Sequence, residues 1–118
     1  MRKLALAAIL AFAALPAAAQ SIGGNYAVAG TNLDGSPYSG TARIVLTSET
    51  TCTIHWTTGG STSDGICSRN DDAFAAGYVL GDAIGLVIYK VNQDGSMDGL
   101  WTIAGQNGSG TEKLTPAN

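Results

Sequence analysis

Cys52 and Cys67 are the only cysteines of this chain, and Gly59-Gly60 lies midway between them. A Gly-Gly pair between runs rich in Thr, Ile and Trp supplies the positive φ values that a tight two-residue turn needs. Folding there sets Thr58 opposite Ser61, and counting outward brings Cys52 opposite Cys67. In such a hairpin the cysteine pair falls at a hydrogen-bonded position, where Cα atoms are about 5.5 Å apart and a disulfide can form. Turn chemistry and cysteine spacing thus predict one register for a hairpin over 51–69. The spacing is far from a C-x-x-C redox pair. A zinc site needs about four ligands, and the chain has one histidine. A structural bridge closing this loop is worth about 3 kcal/mol.

An oxidising compartment is expected on independent grounds. Arg2 and Lys3, the apolar run Leu4 to Leu15 and the Ala17-Ala18-Ala19 site read as a signal peptide over 1–19, cleaved before Gln20. The apolar run is short for a membrane span. An exported protein follows, periplasmic or secreted, with 20–118 as a single domain. Losing Arg2 and Lys3 leaves four basic residues against nine acidic ones, so the net charge falls from −3 to −5. That acidic balance argues against nucleic acid or an anionic membrane as partner.

The mature stretch is rich in Gly, Thr and Ser, has no sustained helical period, and alternates apolar with polar residues throughout. A first strand is expected over 25–30, with Tyr26, Val28 and Gly30 on one face. Between 38 and 47, Tyr38, Gly40, Ala42, Ile44 and Leu46 share a face. A short connection at 48–50 sets Leu46 against Cys52 and Ile44 against Ile54, keeping apolar residues together. A turn over 68–72 leads to a strand at 73–80. Gly81-Asp82 then sets Tyr78 against Gly85 and Phe74 against Tyr89. Gln93-Asp94-Gly95 joins the next two strands with Val87 against Trp101 and Lys90 against Asp98. A last strand over 109–114 is expected to stop at Pro116.

Eight such strands with tight turns predict an all-β, antiparallel up-and-down barrel of lipocalin or avidin type, which has no free edges; a two-sheet β-sandwich is the alternative. Inward Gly30, Gly40, Gly65, Gly85 and Gly99 lie among inward Tyr26, Tyr38, Trp56, Tyr78, Tyr89 and Trp101, a mixture suited to the curvature of a small closed sheet. The twin stretches Asn32-Leu33-Asp34-Gly35-Ser36 and Asn92-Gln93-Asp94-Gly95-Ser96 invite a calcium-loop reading. Gly95 comes too early for an EF-hand and no glutamate closes either loop, so turn chemistry is expected, with no metal.

Catalysis finds little support. His55 is predicted opposite Asp64 and beside Arg43, but that row faces outward, without a nucleophile turn or an oxyanion hole. No catalytic residue and no cofactor are assigned. Tyr26, Tyr38, Trp56 and Trp101 are candidate ligand contacts if the barrel holds a pocket, although so many rings in a small barrel favour a filled core. Glu112 shares a face with Leu114: it is either an inward carboxylate needing donors such as tyrosine hydroxyls or a rim residue. Outside, Leu86, Ile88 and Leu100 form an apolar stripe, continued by Ile84, that suits a partner surface or a homodimer.

Gly24-Asn25-Tyr26-Ala27-Val28-Ala29-Gly30-Thr31-Asn32, Asp34-Gly35-Ser36 with Tyr38 and Gly40, Trp56 before Gly59-Gly60, Val87-Ile88-Tyr89, Asp94-Gly95 with Gly99 and Trp101, and Gly110-Thr111-Glu112 with Leu114 resemble a family of small exported alphaproteobacterial proteins. Many of its members carry the automatic label fibronectin-binding protein. The resemblance implies a β-barrel of unknown function and brings no catalytic residues. Cys52 stands where that family has an aromatic and Cys67 where it has glycine. The leading expectation is a non-enzymatic exported protein that binds a protein or cell-envelope partner through its outer surface or loops. Its rivals are a small-molecule carrier with a barrel pocket and a periplasmic protease inhibitor, which would need a projecting segment able to enter a protease cleft, for which 20–24 is short.

Overall fold

In a computed structural model, which describes residues 21–117, eight antiparallel strands close into a single barrel in sequence order. They are β1 (Gly24–Thr31), β2 (Pro37–Leu46), β3 (Thr51–Thr58), β4 (Ser61–Asn70), β5 (Ala73–Leu80), β6 (Ala83–Val91), β7 (Met97–Ile103) and β8 (Gly110–Ala117). Pairing of β1 with β8 as well as β2 closes the sheet, which excludes the sandwich. The expected signal-peptide segment, 1–19, lies outside the described residues.

The hairpin of β3 and β4 has the register its sequence dictates. Thr58 faces Ser61, His55 faces Asp64 and Cys52 faces Cys67. The two cysteines form a disulfide with a Cα separation of 4.9 Å, inside the range that a bridge spans. Gly59 and Gly60 both have positive φ, as the turn requires. The pairs Ile44–Ile54, Phe74–Tyr89, Val87–Trp101 and Lys90–Asp98 also form as expected.

Four local expectations differ. The turn placed over 68–72 is a tight one at Asp71-Asp72, because Asp71 takes a positive φ of 53°, a conformation that aspartate tolerates better than most residues. Strand β8 runs through Pro116 to Ala117. It pairs with β7 only as far as Leu114, so Pro116 has β1 as its single neighbouring strand, an edge-like position of the kind where proline is tolerated. Leu46 keeps Cys52 as its partner but lies at the barrel end, 42% exposed. The interior is not filled throughout, as the site below shows.

The twin Asn-x-Asp-Gly-Ser stretches fold alike as ordinary turns. In each, the aspartate accepts from the serine backbone N–H at 2.9 Å and from its hydroxyl at 2.6 Å. Those donors hold Asp34 and Asp94 below the usual carboxylate pKa. With Oδ1 of each aspartate engaged inside the turn, the loops show the turn chemistry expected of them.

The core divides the barrel lengthwise. At one end Ile44, Ile54, Phe74, Val91, Met97 and Leu114 are almost fully buried. Ile22, just ahead of β1, is buried against this end, and its carbonyl accepts a 2.7 Å hydrogen bond from the Tyr26 hydroxyl. Ile22 therefore helps to close this end of the barrel. The opposite end carries the β3–β4 and β5–β6 turns and the rings of Tyr38, Tyr78 and Trp101, which are only partly buried.

Candidate functional site

The site is built on a simple cross-strand rule. Four inward aromatics each stand directly opposite an inward glycine: Tyr38 opposite Gly30, Tyr78 opposite Gly85, Tyr89 opposite Gly99 and Trp101 opposite Gly110. Each ring lies flat over its glycine. A Cβ at Gly85 would come within 2.2 Å of the Tyr78 ring, and one at Gly99 within 2.5 Å of the Tyr89 ring. Both distances are far below contact, so the missing side chain is what seats the ring.

Two of these glycines flank Glu112. It pairs with Gly30 on β1 and with Gly99 on β7. The rings folded over those glycines bring their hydroxyls to the carboxylate between them. Tyr38 donates to Oε1 at 2.7 Å, and Tyr89 donates to Oε2. Trp56, from β3 across the barrel, donates its indole N–H to Oε2 at 2.9 Å. Glu112 is thus an inward carboxylate, 7% exposed, with Leu114 as its inward neighbour toward the packed end. Buried carboxylates need such donors.

The converse effect falls on the tyrosines. Burial, then the Glu112 charge, pushes the Tyr89 hydroxyl well above its ordinary pKa and raises Tyr38 strongly; the same two causes push Tyr78 up to about 12. All three are therefore fixed hydrogen-bond donors at any physiological pH. Between these donors the Glu112 carboxylate serves as a hydrogen-bond acceptor.

Above Glu112 a cavity of about 220 Å³ rises to the β3–β4 turn at Gly59. Tyr38, Trp56, Tyr78, Trp101 and Glu112 line it, with Thr58, Ser61 and Ser63 adding hydroxyls on one side. Edge-to-face contacts hold the rings, Tyr38 to Trp101 at 6.2 Å and Trp56 to Tyr78 at 5.2 Å between centroids. Trp101 also donates to the Thr111 carbonyl at 3.2 Å. In this half the expected filled core is corrected: Tyr38, Tyr78 and Trp101 lie over Gly30, Gly85 and Gly110 and border a cavity, whereas Tyr89 over Gly99 is packed in the core.

Of the candidate ligand contacts, Tyr38, Trp56 and Trp101 meet in this cavity and Tyr26 does not. Tyr26 belongs to the packed end, 5% exposed and tied to Ile22. Glu112 and Tyr78 complete the set. The sequence signal for both was the inward face each shares with a neighbour, Leu114 and Ala76 respectively, together with the glycines opposite.

No protein-family model and no curated protein matches the chain. Solved structures of the same fold do. The chain is similar to a redesigned β-barrel, b11L5F_LGL, with a TM-score of 0.75 and 16% identity over 90% of this chain and 100% of that one. It is similar to mFAP1, a redesigned β-barrel bound to DFHBI, with a TM-score of 0.70 and 19% identity over 80% of this chain and 94% of that one. It is also similar to a de novo designed fluorescence-activating β-barrel, with a TM-score of 0.68 and 16% identity over 87% of this chain and 100% of that one. At such identities the likeness is one of fold.

The outer wall carries the other predicted residues. His55 Nδ1 and Asp64 Oδ1 are 2.6 Å apart, both exposed, with Arg43 the register partner of His55. Leu86, Ile88 and Leu100 are 60%, 66% and 59% exposed, and Ile88 pairs with Leu100. Ile84, Ile66 and Val79 extend the stripe across β4 to β6. Elsewhere the outer wall mixes polar residues, as at Thr41, Thr53, Thr57 and Lys113, with single aliphatics such as Val45, 47% exposed. Among the described residues no group of His, Cys, Asp and Glu is placed to hold a metal ion, and no helix is long and apolar enough to cross a membrane.

Proposed function

We propose that this is a non-enzymatic exported protein that binds a small molecule in the open half of its barrel. The observation that carries the reading is the cavity itself: it is lined by aromatic faces around one buried carboxylate, the combination of apolar wall and few convergent polar groups that ligand sites use. An engineered cavity of about 150 Å³ holds benzene, so the cavity of about 220 Å³ has room for one ring and a short chain. The fold is compatible with that use, since mFAP1 is a barrel of this kind bound to DFHBI. Export is supported by the signal-like pattern over 1–19 and by the Cys52–Cys67 disulfide. Native mass spectrometry of protein purified from its own host tests the reading. A retained mass of small-molecule size, released on unfolding, is expected. A bare protein whose Tyr38, Trp56 and Trp101 resonances respond to no compound in a fragment library would overturn it.

A second reading rests on the outer stripe. Six large aliphatics exposed on one side of a barrel, on neighbouring strands, form the kind of apolar patch that soluble proteins cover with a partner. Self-association through this face is the form tested on purified protein. Sedimentation should show a concentration-dependent dimer that Leu86→Lys with Ile88→Lys abolishes; a monomer at all concentrations in both proteins would remove self-association from consideration.

A further inference from the structure

We infer that the ligand is a small organic cation, held with its positive group between the Glu112 carboxylate and the faces of Tyr38, Trp56, Tyr78 and Trp101. The inference rests on the pocket reading above and specifies its chemistry.

Charge comes first. Glu112 brings a negative charge to the base of the cavity, 7% exposed, and its partners there are two hydroxyls and an indole N–H. Among the described residues no Lys, Arg or His lines the cavity. The ion pairs His55–Asp64 and Lys113–Asp98 belong to the exposed outer wall. Neutral donors satisfy hydrogen bonds without cancelling charge, so the cavity keeps a negative potential in a low-dielectric setting, where a fixed charge acts most strongly.

Hydrogen-bond capacity agrees. A carboxylate oxygen has two lone-pair sites. Oε2 accepts from both Trp56 and Tyr89 and is filled. Oε1 accepts from Tyr38, leaving a second site for a donor carried by a ligand. The Tyr38 hydroxyl, spending its single proton on Glu112, can likewise only accept from a ligand.

The walls add the third element. Two tyrosine and two tryptophan rings around one small space provide several electron-rich faces to a cation, the arrangement by which proteins recognise substituted ammonium groups. An anion would meet the carboxylate head on. A neutral ring would gain the aromatic contacts and nothing from the charge. The net charge of −5 on the chain without its first nineteen residues favours approach of a cation as well.

Calorimetric titration and tryptophan quenching with four probes of one size test this: benzyltrimethylammonium, benzylammonium, benzyl alcohol and benzoate. Both cations should bind at least about tenfold more tightly than benzyl alcohol, the effect of one good cation–π contact with a nearby charge, and benzoate should not bind. Glu112→Gln should abolish the preference for the cations while leaving benzyl alcohol binding in place. Trp101→Ala, a change at a partly buried ring, should weaken both cations and serves as the variant should Glu112→Gln fold poorly. Benzyl alcohol binding as tightly as the cations would overturn the inference and leave the pocket reading standing. Preferential binding of benzoate would also overturn it. Failure of all four probes on folded, disulfide-intact protein would remove both readings.

Discussion

At the scale of single residues the molecule turns on Glu112, and what makes Glu112 tolerable is glycine. Gly30 and Gly99 beside it let Tyr38 and Tyr89 lie over the sheet and point their hydroxyls at the carboxylate. Tyr89 is also stacked on Phe74, with centroids 5.4 Å apart, so its ring has nowhere to retreat. Gly99→Ala should therefore cost about 1–3 kcal/mol through overpacking, and Tyr89→Phe about 1–3 kcal/mol by removing one donor from a buried carboxylate. Urea denaturation of each variant measures both. A cost below a few tenths of a kcal/mol for Tyr89→Phe would mean that water replaces the hydroxyl. The tyrosines give a second prediction. Below about pH 10 they are protonated in both folded and unfolded chains. Above it the unfolded tyrosines ionise, whereas burial and the Glu112 charge keep Tyr38, Tyr78 and Tyr89 protonated. The folded state then binds more protons, so stability falls as pH rises past about 10, and for Tyr78 the loss continues to about 12. Spectrophotometric titration should show little tyrosinate near pH 10 in the folded protein and full ionisation once urea is added and the pH carried well above that value.

At the scale of elements, most of the register was legible because independent signals coincided. Gly59-Gly60 and the cysteine pair specified one hairpin; Gly81-Asp82 placed Phe74 against Tyr89; and Lys90 met Asp98 where Val87 met Trp101. The errors fell where one residue had two uses. Asp71 reads as part of a longer loop and is instead the left-handed residue of a tight turn. Pro116 reads as a stop and sits where the strand has a single neighbour. The β3–β4 hairpin also separates two interactions that sequence alone presents side by side. Cys52 and Cys67 are buried in the wall, 3% and 6% exposed, whereas His55 and Asp64 face water. Replacing both cysteines by alanine should lower stability by about 3 kcal/mol. Asp64→Ala should cost less than about 1 kcal/mol, as exposed ion pairs do. Thermal unfolding of the two variants should show that difference plainly, and a large loss for Asp64→Ala would assign His55 a role the outer wall does not explain.

At the scale of the whole molecule, alternation revealed a barrel but could not reveal that its two halves differ. An inward face reads the same in sequence whether its side chains interdigitate across the axis or lie back against the wall. What decides is how the inward side chains of all the strands meet across the axis, and that is known only once every register is known together. Toward the end that Ile22 closes, Ile44, Ile54, Phe74, Tyr89, Met97 and Leu114 are almost fully buried and fill the axis. Toward the other end, rings face Gly30, Gly85 and Gly110, and the axis stays open. Stability and binding are thereby assigned to different halves, which side-chain truncation can test. Phe74 is fully buried, and Phe74→Ala should cost about 3–5 kcal/mol, a large share of the roughly 5–15 kcal/mol that holds a domain of this size together. Trp101 is bigger but only partly buried, and it borders the cavity. By the area it removes from water, Trp101→Ala should cost about 2–3 kcal/mol. Chemical denaturation of the two variants should rank the smaller side chain as the more costly. The reverse order would mean that the open half carries the fold, and that its rings are packed as core rather than arranged around a ligand.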